Sequence, residues 1–335
     1  MANGKWHMSN VKWRRFALSI CLLPFAICHL PCRSDAISDN AGTKNGDFLK
    51  IPTDARGVAL GDSVVSMAQG VDALRWNPAG LGTLEGKEAA ATHVQYYQGV
   101  FMDNVGTAVP LEQGGLAANI FYLSAGTLDG RNTLGQPTGN FPYYDVVGTV
   151  GYGHKVLSRA EGADVSVGAA LKMVQEKIAN ESFQNPAVDV GVLVTPLDKL
   201  NVAFTVRDLS SNSANFTREM IGGASYTIFN SFTGAFAVND ANDAPLRFSV
   251  SGEYRFPDYY DATVRAGYQS HDSIDNSLDS QIPALRGASI AGLTMGAGFA
   301  FRLPTFATLK LGLDYAMAPF GALGISHTIT VKAKW

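Results

Sequence analysis

Cysteine is scarce in this sequence, and its three copies all lie close to the N-terminus. They are Cys21, Cys28 and Cys32, so the chain beyond residue 36 contains no thiol. That part of the chain therefore has no disulfide framework, no cysteine-based zinc site and no cysteine nucleophile.

Charged residues are also few, at 16% of the 335 residues, and the net charge of −3 leaves no excess of lysine and arginine. A basic stripe usually marks a nucleic-acid-binding protein, so we expect no nucleic-acid partner. Long apolar runs are missing beyond residue 36, where a spanning helix would need about 18 consecutive apolar residues. The closest run, 288–301, is interrupted by Ser289, Thr294 and three glycines.

Catalytic motifs are missing as well. The histidines beyond residue 36 are His93, His154, His271 and His327. Their spacing does not match a paired metal site, and the chain has neither a GxSxG nucleophile elbow nor a Walker loop. We therefore expect no enzyme activity, no cofactor and no bound metal.

The first 36 residues follow the pattern of a secretory signal peptide. Lys12, Arg14 and Arg15 precede a mostly apolar run, 16–30, and small residues lead up to Ala36. The alternative is a membrane anchor, but the apolar run is too short for one. We predict export and cleavage after Ala36.

Most of the chain beyond residue 84 alternates between apolar and polar residues. In 163–176, for example, Val167 and Leu171 share one face, and Lys172 and Glu176 share the other. Long strands with one apolar and one charged face favour a wall between lipid and a hydrated lumen. A soluble β-sandwich is the alternative, although these segments are long enough to cross a bilayer, which takes about 9–11 residues.

We predict about fourteen such strands, and hence an all-β fold: an antiparallel transmembrane β-barrel. The segments lie near 88–98, 101–110, 114–125, 143–156, 162–177, 184–195, 199–209, 218–228, 231–239, 245–256, 259–270, 287–302, 305–318 and 322–335. An even number of strands predicts that both chain ends and the short turns are periplasmic. The longer connections, 126–142, 209–217 and 270–286, are then extracellular loops.

The stretch from Asp47 to Gly82 does not alternate. It is rich in small residues and carries both charge signs, which suits a compact hatch folded in a polar lumen. The alternative is a helix-turn packed on a soluble core. Short helices are predicted over Ser63–Met67 and Asp72–Trp76, the second capped by Asp72 and ended by Pro78. The candidate hatch residues are Arg56, Asp62, Asp72, Arg75, Asn77, Pro78, Ala79 and Gly80.

The predicted organisation is thus a signal peptide (1–36), an N-terminal segment with the lumenal hatch (37–84) and the barrel (85–335). Charges on the inward strand faces should pair with one another and with the hatch; the alternative is a path for an anionic ligand. They are Lys172, Asp189, Arg207, Arg247, Glu253, Arg255, Arg265, Lys310 and Asp314. The alternating last strand ends in Trp335, which is typical of a barrel assembly signal.

Several motifs resemble one known family. They are Phe48-Leu49-Lys50-Ile51-Pro52, Ala55-Arg56-Gly57, the run from Asp72 to Leu81, Thr195 to Leu200, Arg207-Asp208-Leu209 and Leu313-Asp314-Tyr315. Together they resemble the PorV/PorQ outer-membrane proteins, a family that is similar to the FadL-type fatty acid transporters. The resemblance implies a FadL-like barrel with an internal hatch, an outer-membrane location and contact with outer-membrane lipid.

The same resemblance implies a function. PorV/PorQ barrels are accessory components of type IX secretion, so secretion-system proteins and exported cargo would be partners. The alternative is a FadL-like transporter of long-chain fatty acids or other hydrophobic small molecules. A scaffold with neither activity is a third possibility.

Overall fold

The computed structural model describes residues 44–158, 162–212, 215–256, 261–270, 292–303, 306–320 and 323–335. Within these residues, fourteen antiparallel strands form one closed barrel, because each strand pairs with its sequence neighbours and the first strand pairs with the last. The predicted signal peptide, 1–36, lies outside the described residues.

The strands are listed here in chain order. They are β1 (Glu88–Gln95), β2 (Phe101–Leu111), β3 (Gly114–Arg131), β4 (Pro137–Leu157), β5 (Asp164–Ile178), β6 (Glu181–Leu197), β7 (Leu200–Leu209), β8 (Glu219–Ile228), β9 (Phe232–Ala241), β10 (Arg247–Phe256), β11 (Ala262–Gln269), β12 (Leu293–Leu303), β13 (Phe306–Pro319) and β14 (Ile325–Lys334). The predicted fourteen-stranded antiparallel barrel is confirmed.

The two-residue alternation sorts side chains between the two faces of the wall. Leu171 on β5 is 66% exposed and Ile120 on β3 is 64% exposed, whereas Lys172, next to Leu171, is buried. The outer face is therefore apolar, and the inner face carries the polar groups. This is the distribution required of a wall that meets lipid on one side and an enclosed polar lumen on the other.

The barrel is uneven in height. We call the end at which Glu88 and Lys334 lie the base, and the opposite end the rim. β3 and β4 continue past their neighbours at the rim and turn only at 132–136. The prediction of a long loop over 126–142 was therefore wrong, because both ends of this range belong to strands. A register shift after Ser124 accommodates the break in the alternation of apolar and polar residues.

The segment 44–84 packs against the inner face of the wall. It contains two short helices, α1 (Ala55–Ala59) and α2 (Ala73–Trp76), and 3₁₀ turns over Asp47–Lys50, Gly70–Asp72 and Pro78–Thr83. Its contacts reach β1 to β6 and β11 to β14, and individual side chains also reach β7 to β10. No helix among the described residues is long and apolar enough to cross a membrane.

Two local predictions in this segment were wrong. Ser63–Met67 is not a helix but a turn, closed by a hydrogen bond from the Met67 amide to the Val64 carbonyl (2.8 Å). Asp72 does not cap α2, because it is itself helical and its carboxylate instead contacts Lys332 of β14. α1, which the sequence did not predict, begins at the true capping residue, Asp54.

We expect Leu171→Arg to destabilise the barrel in a bilayer by about 2–4 kcal/mol, because a charge on the lipid-facing wall loses its hydration. Leu134→Arg is the control, since Leu134 is 81% exposed in the β3–β4 turn beyond the wall. Urea titration of the protein folded into lipid vesicles measures both. Equal effects of the two substitutions would contradict a lipid-facing position for Leu171.

Candidate functional site

Asp54 joins the two helices of the N-terminal segment. One carboxylate oxygen accepts a hydrogen bond from the Gly57 amide (2.6 Å) and caps α1, while the other accepts from the Trp76 indole nitrogen (2.6 Å). Gly57 is required at this joint, because a Cβ would lie 2.8 Å from Cε2 of Trp76. The side chains of Trp76 and Asp54 are both buried.

Asn77 attaches the segment to β6. Its side-chain oxygen accepts from the Ala79 amide (3.0 Å), and its amide nitrogen donates to the carbonyls of Val65 (3.3 Å) and Val192 (3.1 Å). The wall has glycine where this motif touches it. A Cβ on Gly191 would meet the Asn77 side chain, and one on Gly168 would meet the Pro78–Ala79 backbone.

The remaining candidates Ala79 and Gly80 are buried in the same motif. Ala79 packs with Val65 and with inward side chains of β6 to β9. Gly80 lies against the Ala68 carbonyl, at a distance that leaves no room for a side chain. The Asn77–Gly80 motif is thus held on both sides by backbone rather than by flexible side chains.

A buried ion network lies where α2 meets β5 to β8. We define it as Arg75, Lys172, Asp189, Arg207, Asp208 and Glu219. Lys172 Nζ lies 2.7 Å from carboxylate oxygens of both Asp189 and Asp208. Arg207 contacts Glu219 and donates to the Arg75 carbonyl (2.8 Å). Its three cations and three anions balance, as buried charges require.

A β-bulge creates this network. Val190 pairs with Val206 and Val188 pairs with Leu209, so Arg207 and Asp208 together oppose Asp189 alone. Asp208 has a positive φ of 61°, and the alternation fails there. Both Arg207 and Asp208 therefore point inward and are 0% and 1% exposed. Regular alternation would have turned Asp208 outward, which is why sequence reasoning missed it.

An apolar cavity lies between the segment and the inner faces of β3 to β5, and its empty space of about 370 Å³ is partly open to solvent. Its apolar lining is Phe48, Leu49, Ile51, Leu74, Phe121 and Val147, and its polar lining is Thr53, Arg75, Asn119, Thr149 and Lys172. Within the described part of the chain, Nη1 of Arg75 has no hydrogen-bond partner, although Glu219 Oε2 lies 4.0 Å away. The cavity thus has an apolar body and a cationic end.

A second, larger cavity, which we call the base chamber, lies on the other side of the segment. It measures about 770 Å³ and is lined mainly by inward residues of β11 to β14 together with Arg56, Gln69 and Asp72. Arg56 and Arg265 both contact Glu253, and Arg265 also contacts Asp314 (2.5 Å). The base chamber is therefore charged where the first cavity is apolar.

Asp62 lies near the rim end of β11. Its carboxylate accepts a hydrogen bond from Gln269 (3.2 Å). Burial raises the pKa of Asp62 from 3.8 to about 7, against the smaller lowering effects of Gln269 and the Arg247 charge. Asp62 has a positive φ of 65°, a conformation that asparagine also adopts readily.

The structure places the predicted lumenal charges on inward strand positions with two qualifications. The Arg255 side chain is 52% exposed at the base, where it pairs with Asp261 (2.5 Å), and Arg247 is only half-buried. Trp335 is half-exposed, and its backbone pairs with Lys87.

Sequence reasoning missed Asp54, Glu88, Glu219 and Lys332. For Asp54, the order Asp-Ala-Arg-Gly was the signal that could have predicted a helix cap. Among the described residues, no group of three or more His, Cys, Asp or Glu side chains is placed to hold a metal ion.

Known proteins resemble this chain in fold. No family model and no curated protein matches it. The toluene transporter TbuX of Ralstonia pickettii aligns with a TM-score of 0.54 and 10% identity, over 84% of this chain and 97% of that one. The toluene transporter TodX of Pseudomonas putida aligns at 0.53 and 11%, over 83% and 95%.

A FadL homologue of Pseudomonas aeruginosa aligns with a TM-score of 0.50 and 11% identity, over 84% of this chain and 98% of that one. At these identities the likeness establishes the fold alone, a FadL-like β-barrel. The matched proteins are transporters and a FadL homologue rather than enzymes. These three matches do not distinguish the PorV/PorQ family from other FadL-like barrels.

We expect Gly168→Ala to displace the Asn77–Gly80 motif, because the new Cβ would overlap the Pro78–Ala79 backbone. Overpacking of this kind costs about 1–3 kcal/mol. Hydrogen exchange of the amides in 76–83 should accelerate. Gly148→Ala is the matched control on β4, since a Cβ there meets nothing within 4 Å. Unchanged exchange in Gly168→Ala would contradict the close backbone approach.

Asp62 predicts a pH dependence of stability. Because its folded pKa is raised to about 7 from 3.8, the folded protein binds the proton more tightly. Stability should therefore fall as pH rises between these values and level off above them. Asp62→Asn should remove this slope in urea titrations at several pH values. Asp129→Asn, at an exposed position of β3, is the control and should retain it.

Proposed function

We propose that this protein is an outer-membrane conduit for hydrophobic small molecules, of the kind that FadL-like barrels provide. The observation that carries the proposal is the apolar cavity between the N-terminal segment and β3 to β5. It is concave and mainly apolar and contains a few polar groups, as is usual for small-molecule sites. Outer-membrane lipid is the second partner, because it covers the apolar outer face.

The lining of the apolar cavity supports a ligand that is mostly apolar. Phe48, Phe121 and Val147 belong to one buried apolar cluster that also includes Val94 and Met102. Burying apolar surface of the ligand there contributes about 25 cal/mol per Å². The unpartnered Nη1 of Arg75 offers a hydrogen-bond donor to a polar end of the ligand. Hydrocarbons and fatty acids both meet this description.

The segment 44–84 is, in this proposal, the hatch of the conduit. It lies between the apolar cavity and the base chamber. A permeant that moves through the lumen from one cavity to the other must therefore pass this segment. Its polar attachments to the wall are the Asn77 hydrogen bond, the buried ion network and the Arg56–Glu253 pair, and buried apolar contacts accompany them. Breaking a buried ion pair is costly, so these contacts stabilise the closed position of the segment.

The secretion function stays a prediction from the sequence resemblance. Neither the fold comparisons nor any described cavity favours cargo transfer over transport of small molecules. The two functions differ in one phenotype: loss of a secretion component strands cargo in the periplasm, whereas loss of a conduit impairs uptake of hydrophobic compounds.

We expect Thr149→Phe to abolish binding of a fluorescent fatty acid by the purified barrel in nanodiscs. Thr149 lines the apolar cavity, and a phenyl ring there fills it. Thr263→Phe is the matched control, because Thr263 faces the base chamber instead. Absence of saturable binding in the unmodified protein, or equal losses in both variants, would overturn the proposed ligand site.

We expect Asn77→Ala to raise single-channel conductance in planar bilayers, because it removes the hydrogen bond to Val192 that attaches the segment to β6 and the bond to Val65 that holds the segment together. Asn132→Ala, in the exposed β3–β4 turn, should leave conductance unchanged. Unaltered conductance in Asn77→Ala would count against a hatch in the lumen.

A further inference from the structure

The base chamber has chemistry that the proposed conduit does not use. Five cationic side chains line it among the described residues, against three carboxylates. The cations are Arg56, Arg265, Lys310, Lys332 and Lys334, and the carboxylates are Asp72, Asp261 and Asp314. Two further carboxylates contact these cations without lining the chamber, Glu253 with Arg56 and Arg265 and Glu88 with Lys334, so the lining itself is more positive than its surroundings.

Two of these lysines face each other directly. Lys310 on β13 and Lys334 on β14 are cross-strand partners, and both point inward. Like charges in this arrangement repel each other and weaken the strand pair. Lys332 adds a third ammonium to the same face of β14. The barrel thus holds three like charges together at one place beside a cavity.

Each of these lysines contacts a different carboxylate. Lys310 contacts Asp261 of the base (2.5 Å), Lys334 contacts Glu88 of β1 (2.8 Å), and Lys332 contacts Asp72 of the segment. Glu88 itself is buried and does not line the chamber. Because an ammonium carries three N–H donors, one carboxylate contact uses only part of the donor capacity of each lysine.

Solvent ions have access to this space. Gln69 is exposed at the edge of the chamber, and the Lys334 side chain is 52% exposed. The apolar cavity lies across the segment, against β3 to β5, so the two cavities are chemically and spatially separate.

We propose that the base chamber is a binding site for a small oxyanion, a phosphate or a carboxylate, held between Lys310 and Lys334 and assisted by Lys332. An anion there offsets the repulsion between the facing lysines and satisfies their free donors through charge-assisted hydrogen bonds. The site is independent of the apolar cavity and does not require the conduit function.

The proposal is tested by calorimetric titration of the full barrel in nanodiscs at low salt, first with inorganic phosphate and then with succinate. Saturable binding is expected for at least one of the two, and the preferred anion identifies the class. The double variant Lys310→Gln/Lys334→Gln should weaken binding by roughly ten-fold or more, because charged hydrogen bonds are lost. Lys310→Arg/Lys334→Arg keeps both charges and should retain binding.

The control is Lys155→Gln/Lys177→Gln, which removes the same total charge elsewhere. Lys155 pairs with Asp164 on the other side of the base (3.0 Å), and Lys177 lies over Tyr144 near the rim. Heat-dependent gel mobility confirms that each variant is a folded barrel. No saturable binding of either anion to the unmodified protein, or equal weakening in both glutamine pairs, overturns the proposal. In either case binding of the apolar probe at Thr149 remains a separate measurement.

Discussion

The structure depends on one constraint: in a bilayer core, every backbone amide and carbonyl must find its partner within the protein. A sheet meets this constraint only by closing on itself, and here β1 and β14 close the ring through eight consecutive residue pairs. Once the ring is closed, successive side chains of a strand alternate between two environments, the lipid outside and the lumen inside. Apolar side chains face lipid, and everything polar or charged is confined to an enclosed space.

That confinement explains the composition of the N-terminal segment. Charges in the lumen cannot be left unpaired at low dielectric, so the wall supplies Glu253 to Arg56 and the segment supplies a carbonyl to Arg207. Close packing makes the opposite demand, because a backbone that approaches a wall needs positions without side chains. Gly168 and Gly191 meet that demand where Pro78 and Asn77 touch the strands. The wall and the segment are therefore complementary in both charge and shape.

Most of the barrel was predictable from sequence, because alternation is a local property that each strand displays by itself. The inward position of Lys172, for example, follows from its neighbours alone. Long-range features were not predictable in this way. The bulge at Arg207 and Asp208 breaks the very alternation used to assign faces, and the β3–β4 extension contains Gly126, Gly130 and Pro142, which read as loop residues.

The N-terminal segment shows the same limit. Its helices are too short to show a helical period in the sequence. Asp72 was therefore predicted to cap a helix, whereas its carboxylate forms an ion pair with Lys332. The pairing of Arg75 with Glu219, more than a hundred residues away, has no local signal at all. The residue types that a charged lumen needs can be recognised in the sequence. Which of these residues contact each other depends on the closed barrel.

The unequal strand lengths have a consequence for how the molecule meets its surroundings. β4 has 21 residues, and at about 3.3 Å per residue it is about 70 Å long. Together with β3 it stands above the rim as a flange with Leu134 at its tip. Of the described strands, these two extend farthest at the rim, so a large molecule that approaches from that side contacts the flange before it reaches the rest of the described wall.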